Sequence, residues 1–546
     1  MSSISKKEEC LNINNLNSKE NIKLYDYNNI LCIPLILNQI FKFINRDDIK
    51  KFYLCNKNIY KLYCNQIKKL KIYEDDQSKI LKLLDKYENI NKLDLSGIYN
   101  DLYDDISFLK KNKRIGTVSY NENEIDKILS FYKNWKKLGN LYESDRNISD
   151  ISFLKNYKNI KELNLWGCKE IVDFTPIYNF KILENLNLGY TNISDISFLK
   201  KYNNIKVLNL IGCKNINNFT PISNCANLEI LDLANTNISD ISFLEKNKNI
   251  KKLYLKRCIN IVDLTPISNC VKLENLSIMS TNINDISFLE KNKNIKELNL
   301  YESTISDFSP ISNCEKLEYL ILTDTNVSNI SFLEKNKIVK NLYLYNCLQI
   351  ADFTPISNCQ KLEILDLSYT NISDISFLEK NKNIKELNLY RRTNISDFSP
   401  ISNCQKLEIL NLAYTNISDI SFLEKNKIIK NLYLYNCCKI ADFTPISNCQ
   451  KLEILNLANT NISDISFLEK NKIVKKLYLS NCKNITDFTP ISNCQKLENL
   501  DLENTNISDI SFLEKNKIIK NLDLRKCKNI DGNDNIFKRN DIHIYH

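Results

Sequence analysis

Histidine is almost missing from this chain of 546 residues: the two that occur, His543 and His546, stand at its end. Everything upstream therefore lacks the Cys/His pair of a nucleophilic site and the H-E-x-x-H metal motif. Glycine is nearly as scarce, at seven residues, and no Gly-rich phosphate loop occurs. The 19 cysteines contain no C-x-x-C, so zinc-type ligand spacing is absent. No run of about 18 or more apolar residues offers a membrane span. The opening "MSSISKKEECLNINNLNSKE" has no apolar segment of the export-signal kind. Many thiols without such a signal suit a reducing, cytoplasmic compartment. Arg-rich tracts are also absent, and a net charge of +10 over this length is mild, which argues against nucleic acid as the partner. Carboxylates recur in copy after copy rather than as one pair. No catalytic residue, cofactor or metal is assigned, and an enzyme is not expected.

What the chain does contain is one phrase said many times. Leu183, Leu228, Leu273, Leu317, Leu362, Leu407, Leu452 and Leu497 recur at intervals of 45 residues, with one of 44. A second series, Ile160, Ile205, Ile250, Ile295, Val339, Ile384, Ile429, Val474 and Ile519, falls midway between them. The unit is thus 22 or 23 residues long, with weaker copies at Ile90, Ile115 and Leu138 and another at Ile67. In "LEILDLSYTNI" the residues Leu365 and Leu367 alternate with Ile364, Asp366 and Ser368, the period of a strand with one buried face. A strand this short cannot bury its leucines alone, but copies stacked about 4.8 Å apart can.

The remainder of each unit returns the chain. In "SDISFLEKNK", Ser373 or Asp374 is a candidate cap and Ile375, Phe377 and Leu378 are apolar contacts. In "DFTPISNCQK", Thr354 is a candidate cap with Pro355 at the first helical position, and eight of the nine prolines occupy this slot. After the strand, a Thr series (Thr191 to Thr505) alternates with a Cys series (Cys168 to Cys527), which Ser303 and Arg392 interrupt. A hydroxyl or thiol there can donate to a buried carbonyl. A second set, Cys225 to Cys494, also falls two units apart. At about 10 Å by strand spacing, equivalent cysteines are too distant for disulfides.

The pattern L-x-x-L-x-L-x-x-(T/C)-x-I resembles the leucine-rich repeat of the short, internalin-like kind. The resemblance implies an α/β repeat solenoid: a leucine-rich-repeat arc with a parallel concave sheet and short helical turns on the convex side. The expected organisation is a polar leader (1–28), a helical module (29–66), about 20 repeats (67–530) and a tail or cap (531–546).

The helical module breaks the period. "LCIPLILNQIFKFINRDDIKKFYLCNKNIYKLYCNQ" places Ile36, Leu37, Ile40, Phe41 and Ile44 on one face. With Ile33-Pro34 before them and Leu54-Cys55-Asn56-Lys57 after, this stretch resembles the F-box, which docks on a Skp-type adaptor of cullin-RING ubiquitin ligases. The resemblance implies adaptor contacts by Ile33, Pro34, Ile36, Leu37, Ile40, Phe41 and Ile44. Leu35 and Ile59 depart from the family, where an acidic residue and Trp are usual. A plain helical cap over the first repeat is the other reading.

Outward strand positions are expected to line the concave face and meet a protein partner, Tyr being an efficient anchor. They include Trp166, Tyr254, Tyr301, Tyr343, Tyr345, Asp366, Tyr369, Asn388, Tyr390, Tyr414, Tyr433 and Tyr435. Tyr343-Tyr345 and Tyr433-Tyr435 are the same dipeptide pattern 90 residues apart, so duplication alone could also place them. The functional expectation is a substrate receptor of a ubiquitin ligase that does no chemistry itself; the alternative is an interaction scaffold with no ligase link.

Overall fold

The computed structural model describes residues 149–546 apart from 157–159, 515, 529, 531–534 and 540, together with three upstream strands. Twenty-one three-residue strands, β1 to β21 in chain order, are described. They run from β1 (Lys69–Lys71), β2 (Lys92–Asp94) and β3 (Thr117–Ser119) through β4 (Glu162–Asn164) to β20 (Asn521–Asp523) and β21 (His543–Tyr545). Each pairs in parallel with the next, giving one sheet. The register matches leucine to leucine: Leu342 to Leu365, Leu365 to Leu387, Leu387 to Leu410. The fold is a leucine-rich-repeat solenoid. Among the described residues no helix is long and apolar enough to cross a membrane.

Six positions of the copied phrase make most of the core. Leu362, Leu365 and Leu367 of one unit, with Ile372, Ile375 and Leu378 of its return, are all 0–1% exposed. Burial of each such side chain contributes about 1.5–3 kcal/mol. The returns are 3-10 turns of three to five residues, such as Ser376–Glu379 and Thr354–Asn358. Most are opened by a carboxylate, and those at Thr220 and Ser331 by an Asn side-chain oxygen. Asp374 Oδ1 accepts the Ser376 N–H at 2.8 Å, and Asp352 Oδ1 accepts the Thr354 N–H at 2.8 Å. Asp374 was one of the two caps expected in its unit; in the other, Asp352 replaces the expected Thr354. Thr354 is itself the first residue of its turn, and a carboxylate two residues earlier reaches the free amide.

Two polar ladders close the bends. Thr191 Oγ1 donates to Leu188 O at 2.7 Å, and Cys213 Sγ, one turn later, donates to the same carbonyl at 3.0 Å. The pair repeats at Leu233, Leu322 and Leu412. Burial pushes the Cys213 thiol up to about 11, so it serves as a donor rather than a thiolate. The interruptions leave marks: Ile278 O receives Thr281 without a thiol, and the Ser303 hydroxyl is buried without a hydrogen-bond partner. Ser303→Cys is expected to restore the missing donor and stabilise the chain by about 1 kcal/mol, read as a higher urea midpoint. No change, or a lower midpoint, would contradict this role of the thiols.

The second ladder, at the exit of the convex turns, alternates Asn with Cys. Asn381 Nδ2 donates to Ile356 O at 3.2 Å and Cys359 O at 2.9 Å, and Cys404 Sγ approaches Asn381 O at 3.8 Å. Asn247, Asn292, Asn336, Asn426 and Asn471 repeat the bond pair, each 0% exposed.

The segment 531–546, read as a tail or cap, adds a strand, because His543–Tyr545 pairs with Asn521–Asp523, and Ile536 is buried. At the other end β3 pairs directly with β4, and the unit expected at Leu138 lies outside the described residues. So does the module at 29–66 with Ile33, Pro34, Ile36, Leu37, Ile40, Phe41 and Ile44.

Candidate functional site: an aromatic edge on the solenoid

Strand length decides where the aromatic side chains go. Each strand is only three residues long, so its first and last positions present side chains on the concave sheet while the middle leucine is buried. Tyr343, Asp366, Asn388 and Tyr433 lie there, partly buried by neighbouring strands. Tyr254 does too, but at 6% exposure it is packed away, beside Asp232 at 2%. Burial pushes the Asp232 carboxyl up to about 6, while the Ala234 N–H, 2.9 Å away, opposes the shift.

Trp166, Tyr301, Tyr345, Tyr369, Tyr390, Tyr414 and Tyr435, expected on the same face, instead sit just past the strand ends, on the bend that leaves the sheet. That bend requires positive φ once per turn. Two turns place glycine there, Gly167 and Gly212; elsewhere Asn, Tyr, Arg, Glu, Asp, Ser or Lys takes the position, among them Tyr369 (φ 56°), Arg391 (φ 60°) and Tyr414 (φ 59°). The left-handed conformation is unfavourable for side chains with Cβ. It is held by the ladder: Tyr414 N–H donates to Tyr435 O at 2.8 Å and Arg391 N–H to Ala413 O at 2.9 Å.

Tyr369 and Tyr414 occupy the left-handed position itself, whereas Tyr345, Tyr390 and Tyr435 stand one residue before it, and the rings of successive turns meet along the solenoid edge. Tyr345, Tyr369, Tyr390, Tyr414 and Tyr435 form a continuous ladder with centroids 5.1, 5.4, 5.5 and 4.9 Å apart. Small residues beneath make room: Ser368 is 1% exposed and Ala413 is 4%. A shorter copy pairs Trp166 with Tyr190 at 4.8 Å, where a Cβ on Gly189 would lie 2.6 Å from the Trp166 ring. Tyr319 and Tyr343 make a separate contact at 5.4 Å.

Arg391 stands over three rings of the ladder, 5.4 Å from Tyr369, 5.8 Å from Tyr390 and 5.0 Å from Tyr414. Arg392, 5.9 Å from Tyr369, occupies the place of a core thiol and is half-buried. Sequence reading noted Arg392 only as a gap in the Cys series and missed Arg391; the Arg-Arg doublet, where the equivalent bends at the two ends of the ladder read Asn346-Cys347 and Asn436-Cys437, was the available signal. Burial pushes the Tyr390 hydroxyl up, with a smaller push from Tyr369. The Tyr435 hydroxyl is raised chiefly by its bond with Tyr414, 3.3 Å away.

The strand-entry edge is different in kind. There Lys206–Glu184, Lys251–Glu229 and six further equivalents pair across adjacent turns at 2.6–2.8 Å. Exposed pairs of this sort contribute little stability, but they satisfy one another and leave no surplus charge.

Two family models match parts of the chain: leucine-rich repeats over residues 226–269, 382–425 and 474–515, and a BspA-type leucine-rich repeat region over 91–217. No curated protein matches. Among solved structures, an internalin of Listeria monocytogenes is 26% identical, covers 64% of this chain and 89% of its own, and superposes with a TM-score of 0.45. A leucine-rich-repeat protein of Leptospira interrogans is 20% identical, covers 78% of this chain and 100% of its own, with a TM-score of 0.50. The plant peptide hormone receptor RGFR1, in complex with RGF2, is 17% identical, covers 88% of this chain and 91% of its own, with a TM-score of 0.51. The chain carries leucine-rich repeats on a solenoid fold shared with the last two of these proteins.

Proposed function

We propose that the chain is a non-enzymatic protein-recognition scaffold, which holds a protein partner against its strand-exit edge and the adjoining concave sheet. The observation that carries this reading is the five-ring ladder from Tyr345 to Tyr435, a contiguous aromatic surface on a rigid array. Aromatic side chains held in place by packing give a partner large contact area at small entropic cost. The same fold carries a ligand in the plant peptide hormone receptor. Affinity capture with the full chain tests the proposal against a Tyr369→Asn/Tyr414→Asn variant, since Asn adopts positive φ at the equivalent Asn346 and Asn436. Proteins captured by the wild type are expected to be lost by the variant. Capture of the same set by both would refute the assignment of the edge.

A finer reading rests on the residues from Ile33 to Ile44 and their resemblance to the F-box. On it, Pro34, Leu37 and Ile40 dock a Skp-type adaptor, and the scaffold brings its partner to a cullin-RING ubiquitin ligase by proximity. Co-purification with such an adaptor, weakened by Pro34→Ala, Leu37→Ala and Ile40→Ala, is the expected result. Wild-type chain that captures no adaptor leaves the scaffold function without the ligase link.

A further inference from the structure

Several charges on the strand-exit edge are settled within the chain. Asp324 accepts the Asn346 side chain at 2.7 Å, and Glu302 accepts Ser280 Oγ at 2.8 Å. Glu503 pairs with Arg525 at 3.1 Å and with Lys526 at 2.6 Å. On the concave sheet beside the ladder, Asp366 is bonded to the Ser368 N–H at 2.9 Å and to its hydroxyl. Arg391, like Arg257 at an equivalent bend, makes no such ion pair, but Arg391 is set among the rings of the ladder. Its side chain is exposed, its neighbours are the rings of Tyr369, Tyr390 and Tyr414 with a hydrogen bond to Tyr369, and none of the described carboxylates pairs with it. A guanidinium spread over aromatic faces keeps its N–H fork directed outward, ready for two parallel bonds to a carboxylate.

The surface around that cation has definite ends. Upstream of Tyr345 the bend position is Asp324, and downstream of Tyr435 it is Asn459. Four ring steps of 4.9–5.5 Å span the ladder. That is on the order of 20 Å, the length of an extended segment of about six residues. The rings pack on one another at tilted and edge-on angles of 51–84°, so none leaves a parallel slot for an intercalated base. A nucleic acid would also bring a phosphate at every step to a patch with two cations, Arg391 and Arg392, bordered by Asp324.

We propose, resting on the scaffold reading above, that the ladder binds an extended peptide segment in which one acidic side chain, flanked by apolar or aromatic residues, is gripped by Arg391. Arg391 supplies the single charged anchor near the ladder centre, and the tyrosines on either side cover the apolar flanks. Arg392, half-buried beneath, holds Tyr390 O through its Nε at 3.4 Å and keeps the doublet in place.

The test is selection of a phage-displayed random dodecapeptide library on the full chain, followed by binding of the enriched peptides to variants. The informative variant is Arg391→Asn, because Asn stands at the equivalent bends at Asn346 and Asn436 and keeps the positive φ. Arg391→Lys retains charge without the fork. Enriched peptides are expected to share an Asp or Glu among apolar residues. Their affinity is expected to fall at least about tenfold in Arg391→Asn and less in Arg391→Lys. Neutral or basic consensus peptides, or equal binding to Arg391→Asn, overturn the inference while leaving a scaffold that binds elsewhere. Tighter binding of single-stranded oligothymidine than of any peptide, lost in Arg391→Asn, overturns it in favour of nucleic acid. Absence of any enriched peptide also overturns it, and protein capture by the full chain then decides separately whether the scaffold reading stands.

Discussion

Leu365→Ala is expected to lower the free energy of unfolding by about 3 kcal/mol. Leu365 is 0% exposed, and its strand neighbours in register are Leu342 and Leu387. Removing three carbons leaves a cavity between two turns that cannot collapse, because the backbone ladder on either side sets the spacing. In a one-dimensional array each turn touches only its neighbours, so the damage should stay local. Hydrogen exchange is expected to quicken around Leu342, Leu365 and Leu387 while amides near Leu186 keep their protection. A loss under about 1 kcal/mol, or protection lost evenly along the chain, would mean that the leucine row is not the core.

Asn381→Ala should cost about 2–3 kcal/mol, more than its small change in volume suggests. The side chain is the donor for Ile356 O and Cys359 O, both in buried surroundings, at 3.2 and 2.9 Å. Alanine leaves two carbonyls without a partner where water cannot replace it. The Asn381 Oδ1 has no hydrogen-bond partner and is already dehydrated in the native state, which keeps the net loss below the full worth of two bonds. Urea unfolding of the variant with an unchanged slope would read the difference directly. A loss of a few tenths of a kcal/mol would show that this ladder is dispensable.

The leucine period was legible because it is stated so many times in one register, and period two followed by a return admits few other folds. The Thr and Cys series were legible as donors for the same reason. The Asn ladder was not. Asn381 sits in "EKNK", between lysines, and reads as solvated surface; only the tight exit from the convex turn buries it. The bend itself was not legible, because Tyr369 and Tyr414 occupy left-handed backbone, against the preference of aromatic side chains, and propensity gives no hint of that. The last strand was hidden since "HIY" carries no leucine, and Ile544 alone continues the row opposite Leu522. The residues assigned to adaptor docking, Ile33 to Ile44, lie outside the described part of the chain and rest on their sequence alone.

The central claim is a single parallel ladder whose leucines shield one another and whose exit edge is left for a partner. Amide hydrogen exchange across the full chain, resolved to short peptides, addresses it most directly. Amides bonded between turns, such as Glu363, Ile364 and Leu367, should be slow, and the slow sites should recur every 22 or 23 residues from Leu163 to Leu522. Protection without that period, or leucine amides exchanging as fast as those of the exposed Lys-rich turns, would contradict the stack and with it the edge it creates.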